Sequence, residues 1–278
     1  MSDPDAADCD SSVEAHFSGE SRRQTILALV PHPDDEAYAM AGLLARAARG
    51  GARVVVVSAT AGEGGYDHLL LDRSPTEMGA ARRAELAASC AAIGAEAPRF
   101  LGWADGAVAD VGSNEASAAL IDIFRTVEPE IVVSLGADGA YGHADHLALW
   151  RLMTRVFDAW PQDGTDPPRW LSAEFPSGLF EPQWRHMTQG RHADRVADET
   201  PALGIAGREV GLRVRLDGPA RSAKRAAMEA HRSQLPDGTP ESLFPAGIVA
   251  ALLREEWYRV VWGPELPPES SDPFAGLG

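Results

Sequence analysis

Apolar residues in this chain come in short runs, and the runs alternate between two periods. Residues 25–30 are almost wholly apolar and 53–58 form a β-branched run, which predicts strands buried on both faces. Between them, residues 38–49 carry apolar side chains at helical spacing and stop at Gly50-Gly51. This is a βαβ opening. The alternation continues with a helix over 77–93 stopped by Gly94, a short strand over 99–101, a helix over 114–127, a strand over 130–135 and a helix over 147–160 that runs into Pro161. Strands separated by helices predict an α/β fold with a mainly parallel sheet.

Past Pro161 the pattern weakens. Residues 162–168 read as an exposed loop, 170–175 as a strand, 181–207 as an irregular polar segment, 209–216 as a strand, 220–233 as a helix and 257–262 as a last strand. These make a smaller C-terminal β/α portion. The ends, 1–24 and 264–278, are polar and read as disordered tails. That leaves 25–263 as a single domain without internal repeats, a size that supports one large core.

Charge and cysteine content narrow the setting. A formal charge of -16 over 278 residues opposes long contact with phosphate backbones, so nucleic acid is not an expected partner. The two cysteines, Cys9 and Cys90, form neither a zinc knuckle nor a disulfide framework. No apolar run approaches the roughly 18 residues of a membrane span, and the first 24 residues lack a signal-peptide pattern. The expectation is a soluble cytoplasmic protein.

Two segments carry chemistry. Pro31-His32-Pro33-Asp34-Asp35-Glu36 follows the first strand, and Gly142-His143-Ala144-Asp145-His146 follows the strand over 130–135. Ligands of open α/β sheets bind at such strand ends. A catalytic zinc takes three protein ligands and keeps a fourth position open. His32, one of the two aspartates and one of the two later histidines would make such a set, leaving a carboxylate to serve as base and a histidine to serve as donor. Two histidines and a carboxylate also suit a non-haem iron triad, but the spare aspartate beside the ligands is what hydrolysis needs. No dinucleotide fingerprint, P-loop or Gly-x-Ser-x-Gly elbow is present.

The order of these residues resembles the PIG-L or LmbE-like family of zinc-dependent N-deacetylases, over residues 25–261. His32-Pro33-Asp34-Asp35-Glu36 reproduces the family's first motif, and His143-x-Asp145-His146 its second, with Ala144 where proline is usual. The resemblance implies a Rossmann-like three-layer fold with the C-terminal portion shaping the pocket. It implies that His32, Asp35 and His146 bind Zn2+, that Asp34 is the general base and later the proton donor, and that His143, oriented by Asp145, assists the oxyanion with Tyr141. It further implies a small N-acetylated amino-sugar substrate and, since members of the family often assemble, leaves a homo-oligomer open; the lack of a spanning run argues against a membrane partner.

Fainter echoes of the family concern Arg82, which would reach substrate hydroxyls, and Asp105, which would contact the sugar. Ordinary readings compete: Arg82 with Glu85 as a solvated ion pair, Asp105-Gly106 as a turn. Gly62-Glu63-Gly64-Gly65 reads as a tight loop at the pocket rim, while Lys224, the chain's one lysine, with His231, Ser233 and Gln234 matches a C-terminal family pattern. His16, His68, His186 and His192 lie in polar segments and read as surface residues. The mycothiol-conjugate amidase branch carries a lysine just after the first motif, where this chain has Ala37, Tyr38 and Ala39. The expected function is therefore removal of an N-acetyl group from an amino sugar or its conjugate, the alternatives being that amidase or a non-catalytic sugar-binding member.

Overall fold

Strand β1 (Thr25–Val30) is buried at all six positions, as its unbroken apolar run requires. The structure, a computed structural model, describes residues 24–161, 164–190, 193–196, 202–267 and 270–277; the expected N-terminal tail, up to residue 23, lies outside them. After β1 come α1 (Asp35–Ala39), α2 (Ala41–Arg49), β2 (Arg53–Thr60), α3 (Pro75–Ile93), β3 (Arg99–Trp103), α4 (Ser113–Val127) and β4 (Ile131–Leu135). Then follow a one-turn α5 (Gly139–Gly142), α6 (Ala144–Asp158), β5 (Arg169–Glu174), α7 (Glu181–Gln189), β6 (Leu212–Arg215), α8 (Gly218–Ala230), α9 (Ile248–Leu252) and β7 (Glu255–Trp262).

The seven strands form one sheet in the order β3-β2-β1-β4-β5-β7-β6. Five are parallel, while β7 runs antiparallel to both β5 and β6. The C-terminal portion thus extends the main sheet. Alternate residues of each central strand enter opposite cores. Ile26, Ala28 and Val30 meet Leu43, Leu86, Met228 and Leu252 of α2, α3, α8 and α9 on one face. Leu27 and Leu29 meet Leu120, Phe124 and Met153 of α4 and α6 on the other. This is the expected three-layer α/β arrangement.

The sequence boundaries hold best where local signals are complete. Ser74 and Glu77 form a capping box at the start of α3, and Gly94 ends it with φ 86°. The helix expected over 38–49 is instead two. Met40, at φ -144°, breaks it, and the new start at Ala41 is capped from far away: Glu256 on β7 accepts the N–H groups of Gly42 and Leu43 at 2.8 and 2.7 Å. Lys224 of α8 completes this buried group, its Nζ 2.5 Å from Glu256 Oε1. Burial lowers the Lys224 pKa, and Glu256 opposes that fall.

Two polar segments are more ordered than their composition suggests. Residues 181–189 form α7, with Glu181 and Pro182 in its first turn and an exposed Glu181–Arg185 ion pair one turn apart. Beyond residue 264 the chain folds back: Phe274 is only 2% exposed, and buried Arg169 donates to the carbonyls of Pro264 and Pro273 at 2.9 and 2.6 Å. One aromatic side chain and a guanidinium that needs acceptors hold what composition alone reads as a tail.

Two outcomes follow from these buried charges. Glu256→Ala strands the Lys224 ammonium and uncaps α2, which should cost about 3–5 kcal/mol in urea unfolding; loss under 1 kcal/mol would mean that the pair is solvated. Glu174, at the end of β5, is 4% exposed, and burial pushes its carboxyl from 4.5 up to about 7. Its proton is held more tightly folded than unfolded, so this contribution is complete below pH 4.5 and lost as pH rises through about 7. Glu174→Gln should therefore gain stability over the parent by about 3 kcal/mol between about pH 5 and pH 8, measured by thermal unfolding across that range.

Candidate active site

Chain order reverses between β1 and β4: β2 and β3 build outward from one side of β1, and β5 continues beyond β4. Ala28 pairs with Val133, so the loops leaving the two strands emerge side by side at the crevice where such folds bind ligands. His32 leaves β1, and His143 and His146 follow β4. The two motifs, distant in sequence, meet here.

Asp34 sits at φ 110°, ψ -28°, a strained conformation for a residue with a side chain, costing about 1–3 kcal/mol. Glu36 holds it there. One Glu36 oxygen accepts the Asp34 N–H at 3.0 Å, and the other receives Ser89 Oγ at 2.5 Å and lies 2.7 Å from His231 Nε2. The Asp34 carboxylate is 3.0 Å from Arg82 Nη2, whose guanidinium also bonds to the carbonyls of Pro33 and Gly62. Gly62 has φ 67°, and a Cβ there would lie 2.2 Å from Arg82 Nη1, so the glycine loop permits the arginine's approach. Burial pushes the Asp34 carboxyl up, Arg82 pulls it back and Asp35 adds to the rise, bringing it to about 6.

Beside Asp34, three donors converge. His32 Nδ1 lies 3.4 Å from Asp35 Oδ2, His146 Nε2 lies 3.3 Å from Asp35 Oδ1, and the two ring nitrogens are 3.3 Å apart. Ligands about 2.0–2.1 Å from one tetrahedral ion are separated by roughly 3.3–3.4 Å. The donor set fits. Outer contacts also fix the tautomers: His32 Nε2 faces Asp145 Oδ2 at 3.0 Å and His146 Nδ1 faces the Gly139 carbonyl at 3.1 Å. Each acceptor takes the ring N–H, and the lone pairs of His32 Nδ1 and His146 Nε2 point at one another's neighbourhood. Asp35 also accepts from Tyr38 Oη at 2.9 Å. Burial would raise Asp35, but His146 and His32 hold it well below the usual carboxylate range.

His143 is stacked on His146, ring centroids 4.6 Å apart, and it too is close enough to His32 and His146 to share an ion. Its Nδ1, however, accepts the Asp145 N–H at 3.2 Å, which puts its proton on Nε2. Burial, then the neighbouring His146 and His32, press its pKa well below the ordinary value. It is a neutral hydrogen-bond donor.

Asp145 meets His143 through its backbone N–H, while its carboxylate points elsewhere. His143 caps α6 and Asp145 lies in its first turn, and side chains two apart on a helix do not face each other. The carboxylate turns to His32 and to the N–H groups of Gly106 and Val108, at 2.7 and 3.1 Å. Arg82 is 4% exposed and not paired with Glu85, which accepts from the Ser233 N–H and hydroxyl at 2.7 and 2.8 Å. Asp105 accepts from Gly64 N and Arg195 Nη1, both at 2.9 Å, and lies 3.4 Å from His32 Nε2. The C-terminal pattern acquires a structural role: Lys224 ties down Glu256, His231 holds Glu36, Ser233 holds α3, and Gln234 Nε2 reaches the Tyr66 carbonyl at 3.2 Å.

Part of this site borders a cavity of about 560 Å³ whose wall includes His32, Asp34, Arg82, Asp105, Tyr141 and His143. Tyr141 packs on His146 with ring centroids 5.5 Å apart, and burial raises its phenol well above the ordinary range. His68 and His186, read from the sequence as surface residues, also line the cavity, as do Gln183 and Arg195; His16 and His192 lie outside the described residues. Nothing local marks these wall residues. The available signal was the helix itself, from Pro182 in the first turn to Gly190 past the last.

A family profile, PIG-L, described as GlcNAc-PI de-N-acetylase, matches residues 27–157 and spans both motifs. A Streptomyces griseus protein, 1D-myo-inositol 2-acetamido-2-deoxy-α-D-glucopyranoside deacetylase, is 31% identical over 286 residues, covering 91% of this chain and 88% of its own. The N,N'-diacetylchitobiose deacetylase of Pyrococcus horikoshii superposes with a TM-score of 0.54 at 19% identity, over 85% of this chain and 83% of that one. The 4-carboxy-2-hydroxymuconate hydratase of Pseudomonas putida does so with 0.56 at 19%, over 88% and 98%. At such identities the likeness is one of fold, and that fold carries more than one reaction. The matched motifs and the relative covered almost end to end decide the family: this chain belongs to the PIG-L de-N-acetylases.

Proposed function

We propose that this protein is a zinc-dependent hydrolase that removes the N-acetyl group from an acetamido sugar carried in a conjugate. The observation that carries this reading is the convergence of His32 Nδ1, Asp35 and His146 Nε2 at 3.3–3.4 Å beside a separate, buried Asp34 carboxylate. His32, Asp35 and His146 would hold the ion. A zinc ion there supplies Lewis acidity, which polarises an amide carbonyl and makes water nucleophilic at neutral pH. Asp34, kept in place by Arg82 and Glu36, accepts the proton of the attacking water. Neutral His143 donates from Nε2 to the oxygen of the acetyl group as charge builds on it, and Tyr141 lines the same cavity. Asp34 then gives its proton to the departing nitrogen as the C–N bond breaks, leaving acetate and a free amine.

The S. griseus relative's name, an N-acetylglucosaminide of inositol, makes a glucosaminide conjugate the first substrate to test. Against the conjugate-amidase alternative, Ala37, Tyr38 and Ala39 are at most 2% exposed, so that stretch presents no group to a substrate. No helix among the described residues is long and apolar enough to cross a membrane, and Cys90 is a buried free thiol.

Acetate release by zinc-loaded protein from a panel of N-acetylglucosaminides tests the activity. Asp34→Asn should keep one metal ion per chain, measured by elemental analysis, and lose about 10²–10⁴-fold in kcat; full turnover in that variant would remove Asp34 as the base. His146→Ala should abolish tight metal binding. Asp145→Ala, which removes the acceptor behind His32 together with that of the Gly106 and Val108 N–H groups, should weaken it about 10–100-fold by competition with a chelator, and unaltered affinity would place the ion elsewhere.

A further inference from the structure

On the side away from Asp35, His32 is faced by two carboxylates. Its Nε2 lies 3.0 Å from Asp145 Oδ2 and 3.4 Å from Asp105 Oδ1. The ring has one N–H to give there, and Asp145, the nearer, accepts it. Asp105 therefore presents a second anionic oxygen that no proton of His32 shares. A carboxylate behind a metal-bound imidazole makes the ring a stronger donor, and a second one adds to the effect. Both acidic side chains are almost wholly buried, so solvent does little to balance the extra charge.

Arg195 balances it instead. Its Nη1 donates at 2.9 Å to the same Asp105 oxygen that faces His32, while Nη2 donates to the Gly64 carbonyl, also at 2.9 Å. The Gly64 N–H donates to the other Asp105 oxygen at 2.9 Å, which closes a ring of contacts around the carboxylate. The loop is shaped for this guanidinium: a Cβ on Gly64 would lie 2.4 Å from Arg195 Nη2. The next residue, Val196, is buried and bridges to His143, so the arginine is carried in on a segment fastened to the reaction centre. Arg82 is already taken by Asp34. Of the four aspartates around the donors, two have a guanidinium each, and Asp35 and Asp145 are left for a divalent ion to meet, one directly and one across His32.

We propose that Arg195 is a positioning residue of the metal site: by neutralising Asp105 it leaves His32 backed by one effective carboxylate instead of two, which limits the donor strength of the ring and keeps a bound ion acidic enough for hydrolysis. This role rests on the zinc-dependent deacetylase reading given above and adds to it a residue outside the family-matched segment of residues 27–157. Arg195 touches none of the three donors and acts on the ion only through Asp105 and His32.

Zinc affinity of the full-length protein, measured by chelator competition without substrate, tests this together with kcat for acetate release from N-acetylglucosaminides. The variants are Arg195→Met, Arg195→Lys, Asp105→Asn and the combination of Arg195→Met with Asp105→Asn. An arginine that merely braces the wall would loosen the ion when lost, whereas one that balances charge would tighten it. The Arg195 side chain is 24% exposed and so partly screened; Arg195→Met should therefore bind zinc only about three- to tenfold more tightly, with kcat reduced by a similar factor. Arg195→Lys keeps the charge and should lie closer to the parent, and adding Asp105→Asn to Arg195→Met should return the affinity toward it. Weaker or unaltered binding in Arg195→Met overturns the assignment, as does tighter binding with kcat undiminished, and either result leaves the zinc reading standing. A parent protein that binds no zinc removes both together. Zinc bound without acetate release from any compound removes the deacetylase reading alone, and the affinities then decide the role of Arg195.

Discussion

The pairing of β1 with β4 is the constraint on which the site depends. Parallel neighbours need long crossovers, so strands adjacent in the sheet can be far apart in sequence, and here more than a hundred residues separate Val30 from Leu135. Once Ile26 is in register with Ile131, the His32 loop and the turn before His143 must share one crevice. A one-residue slip would turn every core side chain of β1 to the opposite face, and the two separate apolar clusters that flank the sheet forbid it. Packing far from the reaction centre thereby fixes the geometry of its donors.

Within that crevice, buried carboxylates do most of the positioning. Glu36 ties the strained Asp34 backbone to α3 and to His231; Asp145 fixes His32 and the 106–108 turn; Glu256 starts α2 and neutralises Lys224. Each has nearly all its acceptor capacity used, which is what makes burial of so many charges tolerable. Each also joins segments remote in sequence, as when His231 meets Glu36 or Glu256 meets Gly42. Strain at Asp34 is sustained by these contacts and leaves its carboxylate beside the donors without itself joining the closest three.

The part of the wall formed by α7 and Arg195 is built differently. It comes from a polar stretch, brought to the cavity by Phe180 packing near Tyr141 and by the Arg195 bonds to Asp105 and Gly64. His143 also bridges to Val196 in a single strand-like pair. A reaction centre under a separately constructed wall is an arrangement in which one chemistry can serve different substrates.

Local patterning alone was enough to identify the α/β alternation, because strands buried on both faces and helices with complete caps announce themselves within a few residues, as β1 and α3 do. It also exposed the metal-type residues, since His32, Asp34, Asp35, His143 and His146 stand in two short motifs beside strand ends. What it could not decide was partnership. The break at Met40 depends on Glu256, over two hundred residues away; the Asp145 carboxylate chooses His32 over its near neighbour His143 because helix geometry turns it aside; and Phe274 and α7 are ordered by surfaces that other segments create. Periodicity and capping are short-range and written in consecutive residues, whereas the direction of a buried polar side chain is settled by whichever distant group satisfies it, and only the folded chain brings that group within reach.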